Sequence, residues 1–215
     1  MPGRHFSFQR YLQQHLPHYV FVSILFVMGV MFGTYMVNAL SLELQMSMAQ
    51  DLIGFFRTVA QEFEGSAPQP QSFAAIFGSH VKWVLLILVF GLSIIGAPLI
   101  LFLVFIKGML VGFSIGYLVG QFSWKGLFFA VISIAPHNLI VIPVMLVSSV
   151  AAVSFSWYLT RSLVMRKQAV EARPFKSYLA THLSLCLLVL CASLIQYAFV
   201  PHLIEWAAPI MLETG

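Results

Sequence analysis

The sequence predicts an all-α integral membrane bundle. Of its 215 residues, 60% are hydrophobic and only 8% are charged, against roughly 25% charged in an average soluble domain. Eleven basic and seven acidic side chains are too few to cover a water-facing surface, which excludes a soluble globule. The net charge of +4 does not indicate nucleic acid, because the basic residues form short clusters between apolar stretches without interleaved aromatic residues.

A single membrane domain accounts for the whole apolar pattern. A transmembrane helix needs about 20 mostly apolar residues, and five regions free of Asp, Glu, Lys and Arg supply the candidates. We predict a cytoplasmic arm at 1–18, transmembrane helices at 19–40, 81–104, 107–123, 139–160 and 178–200, an extracytoplasmic loop at 41–80, a basic loop at 161–176 and an extracytoplasmic tail at 201–215.

The fourth apolar region differs from the others. It runs from Gly126 to Thr160, which is long for one crossing and short for two, and Pro136 and Pro143 interrupt it. Proline removes a backbone donor, and non-helical backbone at membrane depth must be buried in protein or line a cavity. We therefore expect 126–138 to form a half-helix or re-entrant segment before the fourth full span.

The loop charges predict an orientation, because cytoplasmic loops carry an excess of Lys and Arg. The N-terminal arm has Arg4 and Arg10, and 161–176 holds five basic residues, whereas 41–80 is mainly acidic. These signs place the N-terminus inside and the C-terminus outside, which requires an odd number of crossings. Five crossings satisfy every loop if the chain turns at Lys107 inside and at Lys125 outside; six would put a basic loop outside.

Small residues repeat every four positions along the third predicted span. Such a stripe lets another helix approach closely, within this chain or from a partner or second copy. Gly29 and Gly33 form one weaker pair of this kind on the first span. The stripe consists of Gly108, Gly112, Gly116 and Gly120, and we expect a small stripe of Ser148, Ala152 and Ser156 on the fourth span to receive it.

A polar segment stands near the middle of the fourth region. Its residues are Pro136, His137 and Asn138, closed by Pro143. Polar groups at membrane depth are costly and often mark binding or permeation sites, but these side chains can also satisfy carbonyls freed by the prolines. Both interpretations stay open. The predicted spans contain no Asp or Glu, however, and this absence weakens the case for a cation or proton transporter.

The external loop contains an amphipathic helix. Its apolar positions follow helical spacing, and a Gly- and Pro-containing linker at 65–70 ends it. It lies on the outer leaflet or caps the bundle, or it docks an extracytoplasmic partner. The apolar positions are Met48, Leu52, Phe55, Phe56, Val59 and Phe63.

No motif in the sequence indicates catalysis or metal binding. The sequence has no His-Glu-x-x-His, no Gly-x-Ser-x-Gly, no phosphate-binding glycine loop and no Cys-x-x-Cys. His202 and Glu205 stand three apart, and two ligands do not make a zinc site. We therefore expect a protein that is not an enzyme and binds no metal or cofactor.

Four strings, in order, resemble the stage II sporulation protein M family. They are Gly29-Val-Met-Phe-Gly33 followed by Val37-Asn38, Phe90-Gly-Leu-Ser-Ile-Ile-Gly96-Ala-Pro98, Lys107-Gly-Met-Leu-Val-Gly-Phe-Ser-Ile-Gly116 and Ser133-Ile-Ala-Pro-His-Asn-Leu. The resemblance covers about residues 19–167.

The resemblance implies a role in the engulfment step of endospore formation, at the sporulation septum and the engulfing mother-cell membrane. It implies a scaffold for stage II sporulation proteins D and P, which are membrane-anchored peptidoglycan hydrolases, with membrane lipid and a second copy as further contacts. Broader relatives resemble membrane subunits of ATP-driven exporters. The alternative is therefore a permease subunit that moves a solute or lipid with an ATPase partner.

Overall fold

The computed structural model describes residues 4–61, 72–164 and 172–212. All regular secondary structure in these ranges is α-helical, which confirms the predicted fold class. Four of the helices, α1, α3, α4 and α5, are long and apolar enough to cross a membrane. The helices are α1 (Arg4–Asn38), α2 (Leu42–Gln61), α3 (Phe73–Gly91), α4 (Gly96–Val164) and α5 (Ala172–Leu212).

Helix α4 is a hairpin of two helical arms, 96–122 and 124–164. Ser123 separates them with φ 52° and ψ −128°, a conformation that residues with a side chain rarely adopt. The second arm runs back along the first from its start, as the close contact of Gly126 with Leu118 shows. A Cβ atom added to Gly126 would overlap the carbonyl oxygen of Leu118. Farther along, Val104 of the first arm and Met145 of the second share one hydrophobic cluster. The described chain therefore offers five membrane-length segments: α1, α3, the two arms of α4, and α5.

The predicted second span at 81–104 is wrong. Helix α3 ends at Gly91, a turn occupies 92–95, and α4 begins at Gly96. The backbone N–H of Gly96 donates to the carbonyl of Ser93 at 3.1 Å. Because the turn is itself mostly apolar, hydropathy does not reveal it. The expected inner turn at Lys107 is wrong as well, since Lys107 lies inside the first arm of α4; the expected turn near Lys125 falls two residues from the observed reversal.

The predicted half-helix at 126–138 is also wrong. The second arm of α4 stays helical through Pro136 and Pro143. Each proline removes only one backbone donor, and the seven-residue spacing leaves the hydrogen bonds of the intervening turns available. We expected the helix to break at the prolines, but the break lies at Ser123.

The end of the bundle that the charge pattern assigns to the outside is closed by α2. The ring of Phe56, fully buried, lies 4.9 Å from that of Phe129 and 5.7 Å from that of Phe122, both near the hairpin tip. Helix α5 continues to Leu212, so much of the tail predicted at 201–215 is helical. The Nζ of Lys125 donates to the carbonyl of Ile210 at 3.1 Å. Helix α2, the hairpin tip and the end of α5 thus form one packed layer.

Candidate functional site

The predicted glycine stripe is a seam between two helices of the same chain. A Cβ atom on Gly108 would overlap the carbonyl oxygen of Phe26 in α1, and one on Gly112 would overlap that of Val30. Gly116 lies against Thr34, whose Cα would be 3.0 Å from an added Cβ. Small residues that let backbones touch are typical of membrane helix crossings. The seam is therefore filled by α1 and offers no free surface to a partner at these three positions.

Helix α1 contributes glycines of its own to this crossing. Added Cβ atoms on Gly29 and Gly33 would overlap the carbonyl oxygens of Phe105 and Met109. The Oγ1 of Thr34 donates to the carbonyl of Gly112 at 3.2 Å. Gly29 and Gly33 of α1 thus interlock with the glycine stripe of α4. The pair that formed the weaker motif in the sequence is therefore the one that packs against the stripe.

The expected receiving stripe of Ser148, Ala152 and Ser156 packs elsewhere. All three residues are buried. A Cβ atom on Gly91 would stand 2.9 Å from the Cβ of Ala152, and the Oγ of Ser156 donates to the carbonyl of Ser93 at 2.8 Å. This stripe therefore holds the end of α3 and the turn at 92–95. Gly120, the last residue of the glycine stripe, is 4.0 Å from its nearest neighbour for an added Cβ, a methyl group of Val37.

The amphipathic helix forms as predicted in α2, but its apolar face is divided. Phe56 and Val59 are buried against the hairpin tip and the end of α5. Met48 and Leu52 are partly buried, whereas Phe55 is 44% exposed. Phe63 lies outside the described residues. Capping of the bundle uses part of this face, and the remainder borders an open cleft.

The cleft lies between α2 and the α4 hairpin. Its volume is about 530 Å³. The hydroxyl of Tyr117 donates to the carbonyl of Gln45 at 3.1 Å and ties α2 to the first arm beside the cleft. Its lining is largely aromatic and aliphatic, with one carboxylate: Met48, Asp51, Leu52, Phe55, Phe113, Ser114, Tyr117, Leu118, Phe129, Ser133 and Ile134.

Polar side chains from three helices meet inside the bundle. The Nε2 of His80 in α3 lies 2.5 Å from the Oε1 of Gln196 in α5. The ring of His80 is 5.3 Å from the ring of His137 in the second arm of α4. The Nζ of Lys107, in the first arm, lies 5.4 Å from the centre of the Trp83 ring, a cation–π distance. His80, Lys107, His137 and Gln196 are hereafter the polar cluster.

Lys107 lies level with the middle of the apolar part of α1. Gly108 adjoins Lys107 and touches α1 at Phe26. The apolar part of α1 runs from Leu16 to Asn38, so Phe26 is about 15 Å from one end and about 18 Å from the other at 1.5 Å per residue. Polar groups at that depth are costly and usually functional.

Asn138 extends the polar cluster through its neighbour His137. Its Nδ2 lies 2.8 Å from the carbonyl of Ile134 and 3.1 Å from the Nε2 of His137. Its Oδ1 and the Nδ1 of His137 are buried without a hydrogen-bond partner among the described residues. Asn138 also lines an apolar groove of about 390 Å³ between the two arms, together with Pro143. Pro136, His137, Asn138 and Pro143 therefore belong to one continuous helix that carries a polar patch.

Three members of the polar cluster escaped the sequence analysis as site residues. His80 and Gln196 are 116 residues apart, and Lys107 was assigned to a turn. A lone lysine inside an apolar stretch is the one sequence signal that pointed to a buried site. Within the described ranges no group of three or more His, Cys, Asp or Glu could hold a metal ion.

Comparison with known proteins identifies the family. The family model described as stage II sporulation protein M matches residues 22–200, a range that contains the glycine seam, the hairpin and the polar cluster. The search of the curated proteins and the search of the solved structures each found no match. The matched range spans most of the chain, and the chain belongs to the stage II sporulation protein M family, whose membership makes it a sporulation-related membrane protein.

Proposed function

We propose that this protein is a non-catalytic scaffold of the engulfment complex. In this proposal it recruits stage II sporulation proteins D and P to the septal and engulfing membrane, where these peptidoglycan hydrolases remodel the wall. Family membership supports the sporulation role. The feature that carries the scaffold role is the layer formed by α2, the hairpin tip and the end of α5.

That layer suits an extracytoplasmic partner for two reasons. It is anchored, because Phe56 and the bond from Lys125 to Ile210 fix it to the transmembrane helices. It also leaves apolar side chains uncovered beside the open cleft, notably Phe55. Exposed apolar surface rimmed by polar groups is typical of protein interaction sites.

The experiment is co-purification of the full chain from sporulating cells in mild detergent, with quantitative mass spectrometry. Phe55→Asp is compared with Leu44→Asp, because the two residues share α2 and are 44% and 46% exposed, but only Phe55 lines the cleft. We expect the wild type and Leu44→Asp to recover both hydrolases and Phe55→Asp to lose about tenfold, which corresponds to about 1.4 kcal/mol. Absence of both hydrolases from the wild-type preparation would refute the scaffold.

The second candidate is a permease subunit working with an ATPase. The observation in its favour is the polar cluster at mid-membrane depth, since such clusters mark transport pathways in other membrane proteins. Recovery of an ATPase subunit without hydrolases, with loss of solute movement when His137 or Asn138 is changed to Ala, would select the permease.

A further inference from the structure

We propose that Lys107, which lies beside His80 and His137, receives a carboxylate carried at mid-membrane depth by a transmembrane helix of a partner protein. This inference rests on the scaffold function proposed above and names the chemistry by which a membrane partner is held.

The first step is the missing counter-charge. Of the seven acidic residues in the sequence, six lie outside the membrane-length helices. The seventh, Glu205, stands near the far end of α5, 3.5 Å from His202, and both side chains are at least half exposed. It is nine residues beyond Gln196, or about 13 Å along the helix. Among the described residues, no carboxylate lies at the depth of Lys107.

The second step is the unused hydrogen-bonding capacity. An ammonium group has three donors, and the contact of the Lys107 Nζ with a protein group in the described chain is the Trp83 ring. The Nδ1 of His137 is buried and has no hydrogen-bond partner among the described residues. His80 precedes Trp83 by three residues on α3, and its ring lies 5.3 Å from that of His137. Lys107 and the two histidines thus lie beside the part of α3 from His80 to Trp83, and no ion pair between Lys107 and a carboxylate forms among the described residues.

The third step is access. Trp83, Lys107, His137 and Gln196 are each only partly buried, although His80 is buried. An approaching group can therefore reach Lys107 from the side of the helices, whereas the Nδ1 of His137 has no exposed surface. The phosphates of lipid headgroups stand roughly 15 Å from the midplane of a 30 Å hydrocarbon core. A transmembrane helix can carry a carboxylate to this depth inside the bilayer, because the backbone hydrogen bonds of the helix are satisfied within it. The carboxylate therefore needs no aqueous path.

Energetics favour such a pairing. A charge near the centre of the bilayer is costly when it stands alone, and intramembrane charges usually pair with one another. When the two proteins associate, the lysine of this chain pairs with the acid of the partner, and neither bears the free-energy cost of an unpaired charge in the bilayer. The same pairing gives specificity, because a helix without an acid at that depth leaves the lysine unpaired.

The test uses the full chain in sporulating cells, and the measured quantity is hydrolase recovered per scaffold molecule. Lys107→Met removes the charge at similar volume, Lys107→Arg keeps it, and Lys176→Met is the control because Lys176 is exposed near the start of α5, far along that helix from Gln196. We expect Lys107→Met to lower recovery about thirtyfold or more, as for a buried charge pair that loses one member. Lys107→Arg and Lys176→Met should stay within about threefold.

A charge exchange gives the decisive result. Lys107→Asp should abolish recovery, and Lys in place of the partner's intramembrane Asp or Glu should restore it. Recovery by Lys107→Met within about twofold of wild type, at equal membrane abundance, would overturn the inference and leave the scaffold standing. A recovered partner whose transmembrane helix has no acid would do the same. Failure of the wild type to recover any hydrolase would overturn both proposals.

A vesicle experiment excludes the other source of an anion. The purified protein is reconstituted in lipid vesicles loaded with chloride, and chloride release is followed. We expect no release that depends on Lys107. Release by the wild type that Lys107→Met abolishes would assign the polar cluster to a permeant anion and overturn the partner carboxylate.

Discussion

Gly112 lies directly against the backbone of Val30, so that no side chain fits between the first arm of α4 and α1 at this point. Helix α1 packs chiefly on α4, and this crossing therefore decides whether α1 is held to the bundle. In water the hydrophobic effect would hold such a helix, but in lipid close packing and hydrogen bonds must do so.

A side chain at Gly112 should detach α1. Gly112→Leu would place carbon atoms where the Val30 backbone lies, and overpacking of this kind costs at least about 1–3 kcal/mol. Gly120→Leu is the matched control, because an added Cβ there meets only a methyl group at 4.0 Å. The midpoint of thermal unfolding in detergent should fall for Gly112→Leu and stay near wild type for Gly120→Leu. Equal midpoints for the two variants would contradict the interlocked seam.

Truncation of Phe56 should loosen the external layer. Its side chain is fully buried against Phe122 and Phe129, whereas the neighbouring Phe55 is 44% exposed. Loss of a buried phenyl ring costs about 3–5 kcal/mol. Limited proteolysis of solubilised protein should cut Phe56→Ala faster near α2 than Phe55→Ala. If Phe55→Ala is cut just as fast, α2 does not depend on the buried ring.

The contact between His80 and Gln196 should stabilise the packing of α3 on α5. Hydrogen bonds between membrane helices contribute about 0.6–2 kcal/mol. We expect a double-mutant cycle of His80→Ala and Gln196→Ala, followed by denaturant unfolding in detergent, to give a coupling free energy in that range. Additive effects of the two substitutions would show that the pair contributes nothing to the fold.

Glycine at position 123 should stabilise the hairpin. Ser123 holds a positive φ that costs a residue with a side chain about 1–3 kcal/mol, and Ser123→Gly removes much of that cost. Ser114→Gly is the comparison, because Ser114 lies within the helical first arm, where glycine should lower stability by about 0.5 kcal/mol. Thermal midpoints should therefore move in opposite directions. A lower midpoint for Ser123→Gly would exclude strain at this turn.

Cysteine labelling tests the predicted orientation. In a background with Cys186→Ser and Cys191→Ser, Ile95→Cys marks the turn after α3 and Trp124→Cys marks the hairpin tip; both positions are highly exposed. With the N-terminus inside, an impermeant maleimide should label Trp124→Cys in intact cells. It should label Ile95→Cys only after the membrane is permeabilised. The reverse pattern would invert the orientation.

Hydropathy locates apolar segments but not the turns between them. The turn at 92–95 consists mostly of Leu and Ile, so the predicted second span ran through it and assigned Lys107 to a turn. Pro136 and Pro143 suggested a broken helix, yet α4 stays helical through both prolines. The chain reverses at Ser123 instead. Local residue type does not reveal these boundaries, because in lipid they depend on which helix lies opposite.

The sequence by itself determined the solvent of this protein, its all-α fold, its family and the small faces that permit close helix contacts. Those properties follow from composition and local spacing, which act on each helix separately. Only the tertiary structure decided that the glycine stripe of α4 meets α1, that α2 caps the hairpin, and that Lys107, His80, His137 and Gln196 come from three helices to one part of the bundle. Such contacts join residues far apart in the chain, and the packing of the whole bundle selects them.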